Sequence, residues 1–534
     1  MQGASEWFLS AEERGDPATA INHGGEPNLA WTVGNHVDPL IHGATYFSRL
    51  VGCLSTLGAE DQVLLVDWRG DDDELLSLDG PRVGDLLSGL ATRGVKIRGL
   101  LWRSHPKMFG FNEGEASALA RVVNDAGGIL LLDARIRRGG SHHQKLVLLL
   151  HPARRGEDLA FVGGIDLCHG RRDDERHEGD PQAEVLDPAF GPRPPWHDIQ
   201  AEVRGPAVAD LVETFRERWN DQTPLERTHL RLGGITGRAT REQGLPDPLP
   251  PYGAPPPATG THAVQVLRTY PAKRPPYPFA PDGERSIARM YSKVLERARS
   301  FIYVEDQYFW SEEIAALYKA ALERAPDLRI IVVVPRHPDR NGRISGPTNR
   351  LGQLTMMKTL SEAGGDRFAV YDLENEQGTA IYVHAKVVVI DDVLAMIGSD
   401  NMNRRSWTHD SELSMAVLDE QRDEREPRDP AGLGDGARRF ARDLRLRLWR
   451  EHLSATSDDG LLDPGEGFER WRETAEALDA WHVGGERGDR PTGRIRHHRP
   501  RPVPAWQRAW AWPLYRTIVD PDGRPVHLRR SHRF

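Results

Sequence analysis

The 534-residue chain holds only two cysteines, Cys53 and Cys168, which argues against a disulfide framework and leaves the redox compartment open. No apolar run approaches the roughly 20 residues a membrane-spanning helix needs. The opening stretch, MQGASEWFLSAEERGD, has neither a basic segment nor an apolar core, so no secretory signal is expected and the cytoplasm is the default location. Clustered cysteines and a helical His-Glu pair are both missing, so neither a metal nor a cofactor is expected, and His142 and His197 are read as structural. Acidic residues outnumber basic ones. The net charge is −9, yet residues 484–534 carry 12 Arg against 4 Asp or Glu, so the rest of the chain stands at about −17. Nucleic acid is a poor partner for so acidic a body, because its binding rests largely on Lys and Arg neutralising phosphates.

What is present describes a globular protein: 38% hydrophobic and 28% charged residues, in a length sufficient for two core-bearing lobes. Strand-like runs at 63–66, 97–101 and 129–132 alternate with helical patterns at 83–92 and 116–124. That alternation predicts an α/β fold with a partly parallel sheet. Residues 206–219 follow a proline and place Val208, Leu211, Val212 and Phe215 at helical spacing. A Gly/Pro-rich stretch then interrupts the pattern, which restarts with helices at 286–299 and 314–323 and strands at 301–304 and 328–334. A hairpin over 382–390 and 393–397 turns at Asp391-Asp392. The expected organisation is an N-terminal half (1–232), a linker (233–262), a C-terminal half (263–455) and an Arg/Pro/Trp-rich extension (456–534). The acidic run Asp71-Asp72-Asp73-Glu74 lacks the regular ligand spacing of a calcium loop and is read as the cap of a helix beginning near Leu75.

Chemistry concentrates in two places. His143-Gln144-Lys145 and His384-Ala385-Lys386 are each followed by an apolar run and a glycine turn, Gly163-Gly164-Ile165-Asp166 and Gly398-Ser399-Asp400-Asn401. On a strand, residues two apart face the same side, so each half would present an imidazole beside an ammonium. Two such halves face to face suit a phosphodiester: cations hold the phosphate oxygens, a neutral imidazole attacks and a protonated one releases the leaving group. A lone His-x-Lys would be worth little; two copies with matching turns carry weight.

From His384 through Asp391, Gly398-Ser399, Asn401 and Glu412 the spacing resembles the H-x-K-x4-D-x6-G-S-x-N signature of the phospholipase D superfamily. The first half is similar to the eukaryotic-type and related bacterial branch in Ser141–Lys145, Phe161–Leu167, Gly170–Asp173, Trp196-His197-Asp198-Ile199 and Tyr303–Phe309. The resemblance spans roughly Val63 to Glu412. It implies a bilobal fold of two pseudo-symmetric α/β halves, each a mixed sheet flanked by helices, with one active site between them. It also implies metal-free, two-step chemistry in which neutral His143 forms a phosphohistidine and protonated His384 serves the leaving alcohol. Glu412 and Asp173 would orient the rings. Lys145, Lys386, Asn401 and Ser399 would bind phosphate oxygens, and Asp166 and Asp391 would support. One departure is plain: the first motif's aspartate is replaced by Leu150, beside six added residues of turn-like composition, with Asp158 as a stand-in.

The expected substrate is a glycerophospholipid cleaved on the headgroup side, with transfer to other alcohols, at most peripheral membrane contact, and an oligomeric state left open with a monomer compatible. With little preceding the first strand, no calcium-binding membrane module and no calcium dependence are expected. The rivals are a cardiolipin-synthase-like phosphatidyltransferase, a nuclease, and a catalytically silent scaffold. Trp506, Trp510, Trp512 and Tyr515 among arginines either dock on an anionic membrane or wrap back onto the body.

Overall fold

The computed structural model describes residues 3–23, 29–104, 113–184, 186–225, 244–339, 345–531 and 534. Part of the expected linker, 233–243, lies outside the described residues. Seven main strands build the first half: β1 (Thr32–Ile41), β2 (Gln62–Asp67), β3 (Lys96–Trp102), β4 (Ile129–Asp133), β5 (Leu146–Leu150), β6 (Leu159–Gly163) and β7 (Ile199–Arg204). Seven more build the second: β8 (His262–Tyr270), β9 (Phe301–Glu305), β10 (Arg329–Val333), β11 (Phe368–Leu373), β12 (Val387–Ile390), β13 (Leu394–Gly398) and β14 (Glu412–Asp419).

Within each half the spatial order is the same: first, seventh, sixth, fifth, second, third, fourth. The second, third and fourth strands run parallel, and the other pairings are antiparallel. The two first strands, β1 and β8, pair antiparallel, so the half-sheets fuse into one continuous sheet. Helices recur in step. Gly43–Ser55, Val83–Thr92 and Glu113–Asp125 link the first four strands of one half; Ser286–Arg297, Glu312–Arg324 and Ser345–Gly364 do so in the other. Ala207–Trp219 and Arg439–Leu453 follow the seventh strands.

Strand alternation explains the layers. Leu64, Val66, Phe301 and Tyr303 point into one core that both halves share beneath Ala207–Trp219, Arg439–Leu453 and Pro464–Val483. Val63 and Leu65 pack under the linking helices of the first half, and Ile302 and Val304 under those of the second. Both faces of the sheet are covered, as its near-continuous apolar strands require.

The expected α/β architecture is found, with local corrections. No helix starts near Leu75: Asp71 pairs with Arg69, Leu75 bridges Arg82 across a Ser77–Gly80 turn, and the helix begins at Val83. The C-terminal extension wraps back. Ile495–His497 adds an edge strand to β11, Tyr515 is buried, and Arg524 pairs with Glu313. Trp506 of the same segment stays 69% exposed. Among the described residues no helix is long and apolar enough to cross a membrane.

Candidate active site

Each His-x-Lys triplet lies in extended chain immediately before a strand rather than on it. The reason is that each histidine's backbone is claimed by the opposite half. His143 N–H donates to the Ser411 carbonyl at 2.9 Å, and His384 N–H donates to the His197 carbonyl at 2.8 Å. The next residue of that opposite half then supplies a carboxylate to the ring. Glu412 Oε2 is 2.9 Å from His143 Nδ1, and Asp198 Oδ2 is 2.7 Å from His384 Nδ1. The two pairs are crossed copies of one arrangement, and each fixes a ring so that Nε2 is the atom left for chemistry.

The lysines repeat the symmetry. Lys145 Nζ donates to the His143 carbonyl at 2.9 Å, and Lys386 Nζ donates to the His384 carbonyl. Lys145 also lies 3.3 Å from Asp166, whereas Lys386 reaches Gln307 Oε1 at 3.4 Å. Burial alone would raise the Asp166 carboxyl, but Lys145, and after it a hydrogen bond with Asp67, outweigh burial and hold it low. Asp166 therefore serves as a counter-ion for Lys145. Asn401, its positional match, is buried, and its side-chain oxygen has no partner among the described residues.

Two expected roles need correction. Asp173 does not back either catalytic ring. Its carboxylate accepts from Trp196 N at 2.7 Å and Gly179 N at 3.2 Å, so it shapes the loop before Trp196, and the carboxylate at His384 is Asp198. Ser399 is committed elsewhere as well, since its hydroxyl donates to Glu412 Oε2 at 2.6 Å and accepts from Leu413 N at 3.0 Å. It orients the carboxylate rather than facing a phosphate. Asp391 sits at the β12–β13 turn and accepts from the N–H groups of Arg299, Ser300 and Phe301 at 2.9, 2.8 and 2.8 Å. The corresponding loop of the first half is held by Asp158, which accepts from His151 N and the Tyr252 hydroxyl.

Electrostatics set the resting state. Burial, and then Lys386, push His384 down to about 3 against the pull of Asp198, which favours the neutral ring before a substrate anion arrives. Lys386 is itself lowered to about 8 by burial, partly offset by Asp198 and Asp306. Lys145 and Glu412 are among the charges Lys386 feels, which places both halves' groups around one locus.

Several site residues escaped the sequence reading. Asp198 lay within a quoted motif, yet it sits 34 residues after Gly164, against 13 from Ser399 to Glu412, so spacing hid the match. Gly164 is needed beside it, because a Cβ there would fall 2.2 Å from Asp198 Oδ1. Trp196 lies against the His384 ring with centroids 5.0 Å apart, and Arg171 covers its indole at 4.2 Å. Gln307 connects Lys386 to a cavity of about 280 Å³ lined in part by Arg336, His337, Arg350, Arg499 and Arg501.

A duplicated α/β fold whose halves exchange a carboxylate for each other's histidine defines the class, and the chain belongs to the phospholipase D superfamily. Residues 77–243 match the family described as "Phospholipase D", and residues 291–425 the one described as "Cardiolipin synthase, PLD-like domain". Among individual proteins, the chain is 27% identical over 514 residues to "Phospholipase D alpha 1" of Cynara cardunculus, covering 73% of this chain and 59% of that protein. It is 26% identical over 530 residues to "Phospholipase D alpha 2" of Oryza sativa subsp. japonica, covering 76% and 63%. To "Phospholipase D A" of Dictyostelium discoideum it is 28% identical over 435 residues, covering 70% and 32%. The chain thus spans less than two thirds of the length of these relatives.

Proposed function

We propose that the protein is a phospholipase D-type phosphodiesterase that cleaves glycerophospholipids on the headgroup side, leaving phosphatidate, and that also transfers the phosphatidyl group to small alcohols. One observation carries this reading: two histidines, each oriented by a carboxylate from the opposite half and each beside a lysine. His143 Nε2 attacks phosphorus and forms a P–N bond while the P–O bond to the headgroup breaks. His384 donates a proton to the departing oxygen, then takes one from the water or alcohol that cleaves the phosphohistidine. Lys145, Lys386 and Asn401 stabilise the phosphate oxygens as charge builds on them. Burial, and after it Lys386, favour the neutral His384 ring at rest; an arriving phosphate anion offsets the ammonium and raises the ring's proton affinity, so that it takes from solvent the proton it then donates.

A cardiolipin-synthase-like phosphatidyltransferase is the second reading, favoured by the match of residues 291–425 to the family described by cardiolipin synthase. One assay tests the first reading. Phosphatidylcholine, ethanol and a chelator added at the start should yield free choline and phosphatidylethanol. Mass spectrometry of rapidly quenched enzyme should find a phosphatidyl group on His143. His143→Ala and His384→Ala should each lower turnover at least about 1000-fold while the fold persists. Activity on DNA alone, or only after calcium is restored, would defeat the reading; a phosphatidyl group on His384 would exchange the two histidines' roles.

A further inference from the structure

A second group of imidazoles lies beneath the active site and plays no part in the reaction. Glu451, near the end of helix Arg439–Leu453, extends its carboxylate toward three buried histidines of the first half. His42 follows β1, His177 lies in the loop after Asp173, and His197 directly precedes Asp198. Glu451 Oε2 is 2.9 Å from His42 Nε2, and Oε1 is 3.1 Å from His177 Nε2 and 3.6 Å from His197 Nδ1. The four ligand atoms lie within 4.8 Å of one another. The ring centroids are 4.9, 5.2 and 5.9 Å apart. A tetrahedral zinc ion with bonds of about 2.0 Å sets its ligand atoms about 3.3 Å apart, a spacing the three carboxylate–imidazole separations bracket.

The far sides of the rings decide what the near sides can do. His177 Nδ1 is 3.1 Å from the Trp196 carbonyl, which can only accept, so the proton belongs on Nδ1. His197 Nε2 is 2.7 Å from Glu305 Oε2, so its proton belongs there. In the neutral rings His177 Nε2 and His197 Nδ1 then present lone pairs to the Glu451 carboxylate, and His197 Nδ1 is buried without a hydrogen-bond partner among the described residues. Lone pairs aimed at a carboxylate repel unless a proton or a metal cation stands between them. A carbonyl and a carboxylate behind ligating imidazoles are also the outer partners that metal-bound histidines use. The other cation near Glu451 is Arg494, whose Nη1 lies 4.0 Å from Oε1, at the edge rather than among the rings.

We propose that His42, His177, His197 and Glu451 form a structural site for a zinc-class divalent cation that ties the last helix of the second half to the first half. Three imidazoles and one carboxylate, with no thiolate, suit zinc and leave no open position for substrate. The ion would also fix His197, whose carbonyl holds the His384 backbone and whose neighbour is Asp198.

Elemental analysis of the full chain tests the site directly. About one equivalent of zinc per chain should copurify, or return after chelator treatment and dialysis against zinc, and cobalt should replace it with a tetrahedral visible spectrum. Zinc should raise the melting temperature of the metal-stripped protein. Glu451→Gln should weaken zinc binding at least about tenfold. Folded, unmodified protein that takes up no zinc and shows no zinc-dependent melting shift would overturn the site, as would uptake of calcium alone. These readouts are metal content and melting, so they stand whether or not the phosphodiesterase reading holds.

Discussion

The two halves are the same object built twice, yet they are not equal. Strand order, helix placement, the back-bonded lysine and the borrowed carboxylate recur in both. The second half keeps a tight β12–β13 turn in which Asp391 and Asp392 adopt positive φ of 52° and 56°. That conformation is costly for residues other than glycine, and buried contacts compensate. Asp391 ties down three N–H groups, while Asp392 pairs with Arg442 and Arg445. The first half replaces this turn with a longer loop held by Asp158 and puts Leu150 inside a strand. The carboxylate at this turn thus accepts from backbone N–H groups in both halves, and each histidine keeps its borrowed carboxylate although the turns differ. The glycine-turn position has diverged differently: Asn401 is an uncommitted amide, and Asp166 is a counter-ion for Lys145.

The largest test of this comparison removes the crossed carboxylates one at a time. Asp198→Asn and Glu412→Gln should each lower kcat about 100-fold with little change in KM, since both orient a ring rather than hold substrate. A large loss in one and none in the other would break the symmetry. The braces should differ less, and in stability. Asp391→Ala leaves three N–H groups without their acceptor and should cost about 1–3 kcal/mol in urea melts; Asp158→Ala, with one backbone N–H, should cost less. Equal costs would mean the longer loop has taken on the full burden. The last test is in pH. A folded-state value of about 3 for His384, against 6.5 ordinarily, means the unfolded chain binds the extra proton between those values. Stability should therefore fall as pH drops from about 6.5 toward 3, and His384→Gln should show a shallower fall across that window.

Much of the fold was legible because it is written in short-range periodicity. The runs at 63–66, 97–101 and 301–304 show as short apolar stretches, and the helix read at 286–299, found at Ser286–Arg297, follows from helical apolar spacing. The fused sheet was not legible, since the β1–β8 pairing joins residues more than 200 positions apart. At the site, the histidines and lysines were recognisable by their repetition. Ser399 and Asp173 were misjudged because residue type and spacing say nothing of which neighbour claims an oxygen first. Ser399 faces Glu412, and Asp173 faces backbone N–H groups. The cluster of His42, His177, His197 and Glu451 has no local spacing at all; its members come from four separate places in the chain.

The sequence by itself determined the two His-x-Lys units, the α/β alternation and the absence of a membrane-length apolar run, because each is local in the chain. Only the tertiary structure decided which carboxylate serves which imidazole. Those pairs cross between halves, and the contact depends on a tertiary arrangement that brings residues 186 and 269 positions apart within hydrogen-bond reach.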